Sequence, residues 1–242
     1  MSAVESPIPQ SQVSESMPTP QLEAGDCLTG EEFERRYAGM PNGKKAELIQ
    51  GLVYMPSPVR NRRHGAPHAL VLGWLVQYLA ATPGVSVSDN STLRLGPEDE
   101  LQPDALLRRL PEYGGCCSED ENDFLAGPPE LVVEIAASSV SYEMHVKREV
   151  YRRSGAAEYL VWRVEDGEID WFILRDGAYQ PIKPDVDGVL RSQAFPGLRL
   201  DPTALLAGDA AQLLAALHHG INSAEHSAFY SELMAHRTPP SV

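Results

Sequence analysis

The stretch LVVEIAASSVSYEMHVKREVY, residues 131–151, decides the fold. Its first six residues form an apolar run interrupted only by Glu134, the pattern of a strand covered on both faces. An ionised carboxylate in such a run is expensive unless a cation meets it. The second half predicts a helix in which Val140, Met144, Lys147 and Tyr151 fall at i, i+4, i+7 and i+11. That spacing puts Lys147 on the face that should be buried, beside the strand holding the carboxylate. A carboxylate and an ammonium aimed into one interior from consecutive elements point to a site. A plain buried ion pair, or a lysine that snorkels out past Met144, would give the same spacing.

Upstream, AELIQGLVYM (46–55) reads as a hairpin turning at Gln50-Gly51, with Glu47 opening its first strand. Before it, Thr29 with Glu31 and Glu32 marks a helix start, and Gly39 with Pro41 marks its stop. The basic, proline-broken connection MPSPVRNRRH leads into a helix over 64–81, whose Leu70, Val71, Trp74, Leu75, Tyr78 and Leu79 make a wide core-facing stripe. Three strands are expected at 85–88, 92–95 and 101–107. The last of these carries Asp104 directly after Pro103, and proline inside a strand implies an edge, a bulge or a start. The acidic stretch 110–129 reads as loop. Beyond residue 151, a helix stop at Ser154-Gly155 precedes the strand EYLVW, and Asp166-Gly167 and Asp176-Gly177 signal hairpins between strands at 168–174 and 178–182. From Pro202 the chain turns helical to His218, and a weaker helix covers 223–236. His218, His219, His226 and His236 read as scattered on polar faces, with no metal role.

A chain of 242 residues can bury a sizeable core. Residues 1–27, rich in Pro, Ser, Glu and Gln, predict a disordered acidic tail. A main domain follows over 28–200, then a helical C-terminal extension over 201–242. No run is long and apolar enough to span a bilayer, and the first residues lack the pattern of a secretory signal. The three cysteines have no zinc-ligand spacing and read as reduced thiols of a cytoplasmic protein. The net charge of −14 is uneven. Residues 1–34 and 110–130 carry acids without a single Lys or Arg, which leaves the remainder close to neutral. Basic clusters survive there, at Lys44-Lys45, at Arg60, Arg62 and Arg63, and at Lys147-Arg148 with Arg152-Arg153. Any of them could hold a phosphate backbone or be a solvated face.

Three carboxylates, Glu47, Asp104 and Glu134, thus stand at strand positions, and Lys147 on the helix after the last. Like charges a few Å apart repel by roughly 4 kcal/mol at an effective dielectric near 20. Gathering them makes sense around a hard cation such as Mg²⁺ or Mn²⁺, which takes oxygen ligands and can activate water against a phosphodiester.

The string AELIQGLVYMPSPVRNRRH, the QPD, GPPELVVEIAASS, the later Lys147 and Tyr151, and GAAEYLVW together resemble the Uma-type restriction-endonuclease family of the PD-(D/E)xK nuclease superfamily, over about residues 33–200. That resemblance implies an α/β fold, a mixed sheet flanked by helices in the restriction-endonuclease-like manner, and a divalent-metal phosphodiesterase acting on DNA. Under it, Asp104 and Glu134 correspond to the motif acids, and Lys147 to the motif lysine moved onto the following helix. Glu47 then matches the family's early glutamate, an assisting acid and metal ligand, and His64 the histidine after PSP. Arg62 and Arg63 of the basic cluster join His64 and Tyr151 as substrate-side residues. Ala137-Ser138-Ser139 and Gln50 depart from the usual pattern, and Glu143 keeps in kind an acid four before the lysine. The expectation is a Mg²⁺- or Mn²⁺-dependent endonuclease with room for a homodimer. A catalytically silent module for binding or assembly, docking a basic partner through the acidic segments, and a hydrolase of small phosphoesters are the rivals.

Overall fold

The computed structural model describes residues 19–41, 44–56, 58–137 and 140–237. Most of the expected disordered tail, 1–18, lies outside them, as do Ser57 and the departing residues Ser138 and Ser139. The described part of the tail runs beside the first hairpin, where the Gly25 N–H donates to the Val53 carbonyl at 2.8 Å and Leu22 is buried.

In chain order, helix α1 (Gly30–Ala38) starts at Thr29, whose hydroxyl accepts the Glu32 N–H. Strands β1 (Glu47–Ile49) and β2 (Leu52–Tyr54) form the hairpin, with positive φ at Gln50 and Gly51 as a tight primed turn requires. A π-helical turn, Asn61–Gly65, leads into α2 (Ala66–Ala81). Then come β3 (Val85–Asp89), β4 (Leu93–Gly96), β5 (Asp99–Leu101) and β6 (Ala105–Arg109). The acidic stretch is less irregular than expected, since it adds the short strands β7 (Ser118–Glu119) and β8 (Leu125–Ala126). Strand β9 (Leu131–Ala136) precedes a second π-helical turn, Tyr142–Lys147, which runs into α3 (Arg148–Ser154). The chain continues through β10 (Glu158–Arg163), β11 (Glu168–Arg175), β12 (Ala178–Pro181), β13 (Leu190–Arg191) and β14 (Arg199–Leu200). It closes with α4 (Pro202–Ala207), α5 (Ala210–Ile221) and α6 (Ala224–His236).

The main sheet has the order β12-β11-β10-β9-β6-β3 and is mixed, with β9 and β10 parallel and the other neighbours antiparallel. A second sheet, β2-β1-β5-β4-β8-β7, is laid over one side. All six residues of β9 are buried, as expected of a central strand packed on both faces.

Strand alternation sorts the core. Leu131, Val133 and Ile135 point into one layer with Ala105, Leu107, Leu160 and Trp162, covered by α2 and by α4 to α6. Val132 and Ala136 point the other way with Leu106, Tyr159 and Val161, covered by α3 and by Ile49, Leu93 and Leu101 of the second sheet. Burying a large apolar side chain fully is worth about 1.5–3 kcal/mol, so each layer contributes substantially. The C-terminal helices belong to the first of these layers, with Leu205, Leu213, Leu217, Phe229 and Leu233 in its core.

Three further readings are corrected. The strand expected over 101–107 is two strands in two different sheets, joined by residues 102–104, because Pro103 cannot donate a ladder hydrogen bond. The helical run from Pro202 to His218 breaks at Gly208, which takes φ +70° and caps α4. His226 is buried and not on a polar face: its Nε2 lies 2.8 Å from Thr82 Oγ1 at the end of α2.

Candidate metal and phosphodiester site

The alternation that builds the core also aims the acids. Glu134 shares a face of β9 with Val132 and Ala136. Asp104, one residue before β6, has the parity of Leu106, and Glu47 has that of Ile49. All three therefore look into the same layer, between the main sheet and the second one. The pairing of Ala105 with Val133, continued by one step, sets Asp104 opposite Glu134. There the Ile135 N–H donates to Asp104 Oδ2 at 2.7 Å, so the carboxylate takes the place of the next ladder acceptor.

Lys147 enters this layer from the π-helical turn. Its Nζ lies 3.0 Å from Glu134 Oε1, 3.0 Å from Glu47 Oε1 and 3.5 Å from Glu143 Oε2. The Tyr151 hydroxyl, one turn on, donates to Glu134 Oε1 at 2.9 Å. Single π turns inside helices are uncommon and concentrate at functional sites. Here one presents Glu143 and Lys147 to the layer together, and the other carries His64. His64 Nε2 meets Asp104 Oδ1 at 3.0 Å, and Glu47 Oε1 also accepts the Gln102 N–H at 2.8 Å. Lys147, Glu134, Glu47, Asp104 and Glu143 are all buried.

The electrostatics follow from three carboxylates surrounding one ammonium. Burial pushes the Glu134 carboxyl well above its usual range, and Glu143, Asp104 and Glu47 push the same way against the pull of Lys147. Glu143 is raised to about 7, again first by burial. Burial works to lower the Lys147 ammonium, but Glu134, Glu143 and Glu47 outweigh it and hold it well above its ordinary value. Asp104 differs. Burial opposes its charge, yet the His64 imidazole, the Ile135 N–H and Lys147 keep it below the usual carboxylate range.

A hard divalent cation fits this donor set chemically. The layer holds more carboxylates than Lys147 can neutralise; Glu143 Oε2 has only the 3.5 Å ion pair with Lys147, and the buried His64 Nδ1 has no hydrogen-bond partner. Among the described residues no three Asp, Glu, His or Cys side chains are yet gathered at coordinating distance. Lys147, between Glu47 and Glu134, and His64, against Asp104, take up the oxygens a cation would use.

Of the residues expected from sequence, Glu47, Asp104, Glu134, Lys147 and His64 come together. Tyr151 joins them from behind. It is fully buried and its hydroxyl is spent on Glu134, so the substrate contact expected of it has no surface to act through. Arg63 lies on the surface in an ion pair with Glu165 at 2.7 Å, and Arg62 is exposed. Two neighbours had no site role assigned from sequence, although Glu143 was noted as the acid kept in kind before Lys147. Glu143 stands one turn before Lys147, and His68 one turn after His64, both at i,i+4.

The mixed sheet flanked by helices is a restriction-endonuclease-like fold, in which Asp104, just before β6, faces Glu134 of β9 with Lys147 at their side. The chain belongs to the Uma2 family, described as "Putative restriction endonuclease", which it matches over residues 31–203. Among solved structures it is similar to a crystal structure from Anabaena variabilis described as a putative nuclease belonging to DUF820. The TM-score is 0.54 at 13% identity, covering 75% of this chain and 98% of that one. At that identity the likeness speaks for the fold alone. No curated protein matches the chain.

Proposed function

We propose that this protein is a Mg²⁺- or Mn²⁺-dependent endonuclease that hydrolyses phosphodiester bonds in DNA. The observation that carries the reading is Asp104, at the entry to β6, facing Glu134 of β9, with the Lys147 ammonium 3.0 Å from Glu134. A divalent ion bound there would polarise the phosphodiester and supply hydroxide from its water.

In this reading Asp104 and Glu134 hold the ion and Glu47 assists. Asp104 stays anionic because His64 and the Ile135 N–H both serve its charged form. Lys147 orients the attacking water and meets charge as it develops on the phosphate oxygens. Tyr151 fixes the Glu134 oxygen nearest Lys147. His64 and the exposed Arg62 and Arg63 lie on or beside the π-helical turn next to Asp104, where they can meet the strand backbone. Residues 28–200 carry the site and the C-terminal helices complete the core beneath it. No helix among the described residues is long and apolar enough to cross a membrane. The cytoplasmic reading rests on the cysteine spacing in the sequence. A homodimer would present two such sites to a duplex.

The test is incubation of the full chain with plasmid and with single-stranded DNA, in Mg²⁺ or Mn²⁺, beside Lys147→Ala. Metal-dependent nicking by the wild type and none by the variant is expected. Equal cleavage by both would discard the assignment. Calorimetric titration with Mn²⁺ separates this reading from a silent binding module, which takes up no ion.

A further inference from the structure

We propose that His68 is a positioning residue for Asp104, holding its main chain where His64 holds its side chain. The proposal rests on the reading of Asp104 as a ligand of the divalent ion. Residues 102–104 pass the chain from the second sheet to the main sheet, and side chains hold this passage where no ladder does. Glu47 Oε1 accepts the Gln102 N–H, Lys45 donates to the Gln102 carbonyl at 2.8 Å, and His68 Nε2 lies 2.7 Å from the Asp104 carbonyl. Pro103 between them has no N–H to offer.

The chemistry of the acceptors fixes the role of each imidazole. A carbonyl oxygen only accepts, so His68 Nε2 must carry the hydrogen. The same nitrogen lies 3.2 Å from Asp89 Oδ1, a second acceptor. Asp89 pairs with Ala105 across β3 and β6, so His68 ties the start of β6 to the end of β3 at the residue preceding the pair. His64 likewise donates from Nε2 to Asp104 Oδ1. The two rings stand one helical turn apart, 5.6 Å between centroids, gripping one aspartate by its carbonyl and its carboxylate. Partners that orient a metal-binding side chain are typically worth 10- to 100-fold in metal affinity or activity.

The experiment uses the full chain as wild type, His68→Leu, which removes the donor, and His68→Gln, which keeps an N–H on a side chain of similar reach. The readouts are the imidazole N–H resonance of His64 in ¹⁵N-edited NMR, the Mn²⁺ affinity by calorimetry, and kcat and KM for DNA cleavage. His68→Leu should displace the His64 resonance, weaken Mn²⁺ binding about tenfold or more, and lower kcat with KM held. His68→Gln should restore all three toward wild type. A folded His68→Leu with the His64 resonance and Mn²⁺ affinity of the wild type overturns the proposal. If His68→Leu does not fold, His68→Asn decides, because its amide keeps the polarity of the position and falls short of the Asp104 carbonyl that His68 Nε2 meets at 2.7 Å. A displaced His64 resonance then supports the role of His68, and an unmoved one overturns it. A wild type that binds no Mn²⁺ defeats the metal reading instead, and the resonance still tests His68.

Discussion

Lys147 Nζ lies 3.0 Å from Glu134 Oε1, with neither side chain more than 4% exposed. The pair spans one strand-to-helix connection; it neutralises charge buried in the inner layer, and the proposed chemistry would run through it.

Replacing the lysine alone should therefore do two things. Lys147→Met leaves Glu47, Glu134 and Glu143 buried without their cation, and removing one partner of a buried pair costs about 3–5 kcal/mol. Cleavage should also fall by about 100-fold or more, the usual effect of losing a group that stabilises developing charge. Urea denaturation and a cleavage time course check both. Adding Glu134→Gln to Lys147→Met should recover part of the stability and none of the activity.

Tyr151→Phe separates a residue behind the ligand from one that touches substrate. The hydroxyl bond to Glu134 is lost at about 1 kcal/mol, and the ring still fills its place. Because Tyr151 is fully buried, kcat should drop while KM holds, measured by steady-state cleavage. A raised KM at constant kcat would return it to the substrate side.

Away from the site, Glu158 gives a pH signature. Burial raises its carboxyl above the ordinary 4.5, opposed by donors from Ala194, Gln193, Ser192 and Trp171. An acid raised on folding contributes its full stability below its unfolded pKa and loses it as pH climbs through the folded value. Ser192→Ala removes a hydroxyl that serves the charged form at 2.8 Å, so it should raise that value further. The loss of stability, about 1–2 kcal/mol, should be larger at pH 8 than at pH 4.5 in matched urea titrations.

Gly220→Ala tests the packing of the C-terminal helices. A Cβ there would stand 2.1 Å from the Gly197 carbonyl oxygen, and backbone cannot swing aside as a side-chain tip can. Destabilisation of about 1–3 kcal/mol is expected by thermal melting. Cleavage per folded molecule should persist, because α5 covers the face of the sheet opposite the acids.

The parts of this fold that could be read from sequence are those where one pattern decides. Five apolar residues around a single acid read as a central strand, and a helical stripe containing a lysine pointed that lysine inward. Asp166-Gly167 and Asp176-Gly177 likewise mark the tight turns into and out of β11. The run LQPDALL was harder, because its hydrophobicity is continuous across two strands of different sheets and Pro103 is the sole mark of the break. The burial of His226 was invisible, since it depends on Thr82, 144 residues away. At the site, Glu47, Asp104, Glu134 and Lys147 showed by type and order. His68 did not, because it acts through a backbone carbonyl, and no side-chain pattern records a main-chain partner.

The passage at residues 102–104 makes the two β-layers mechanically dependent on one another. Neither can slide or tilt against the other without dragging Asp104, since the crossing chain and the aspartate are the same three residues. Load applied at the distant Gln50-Gly51 hairpin tip would travel along β1, into Glu47 and its hold on Gln102, and arrive at the carboxylate. A receptor domain spliced into that turn would thus pull on the carboxylates proposed to hold the ion, which makes the hairpin tip a control point for an engineered switch.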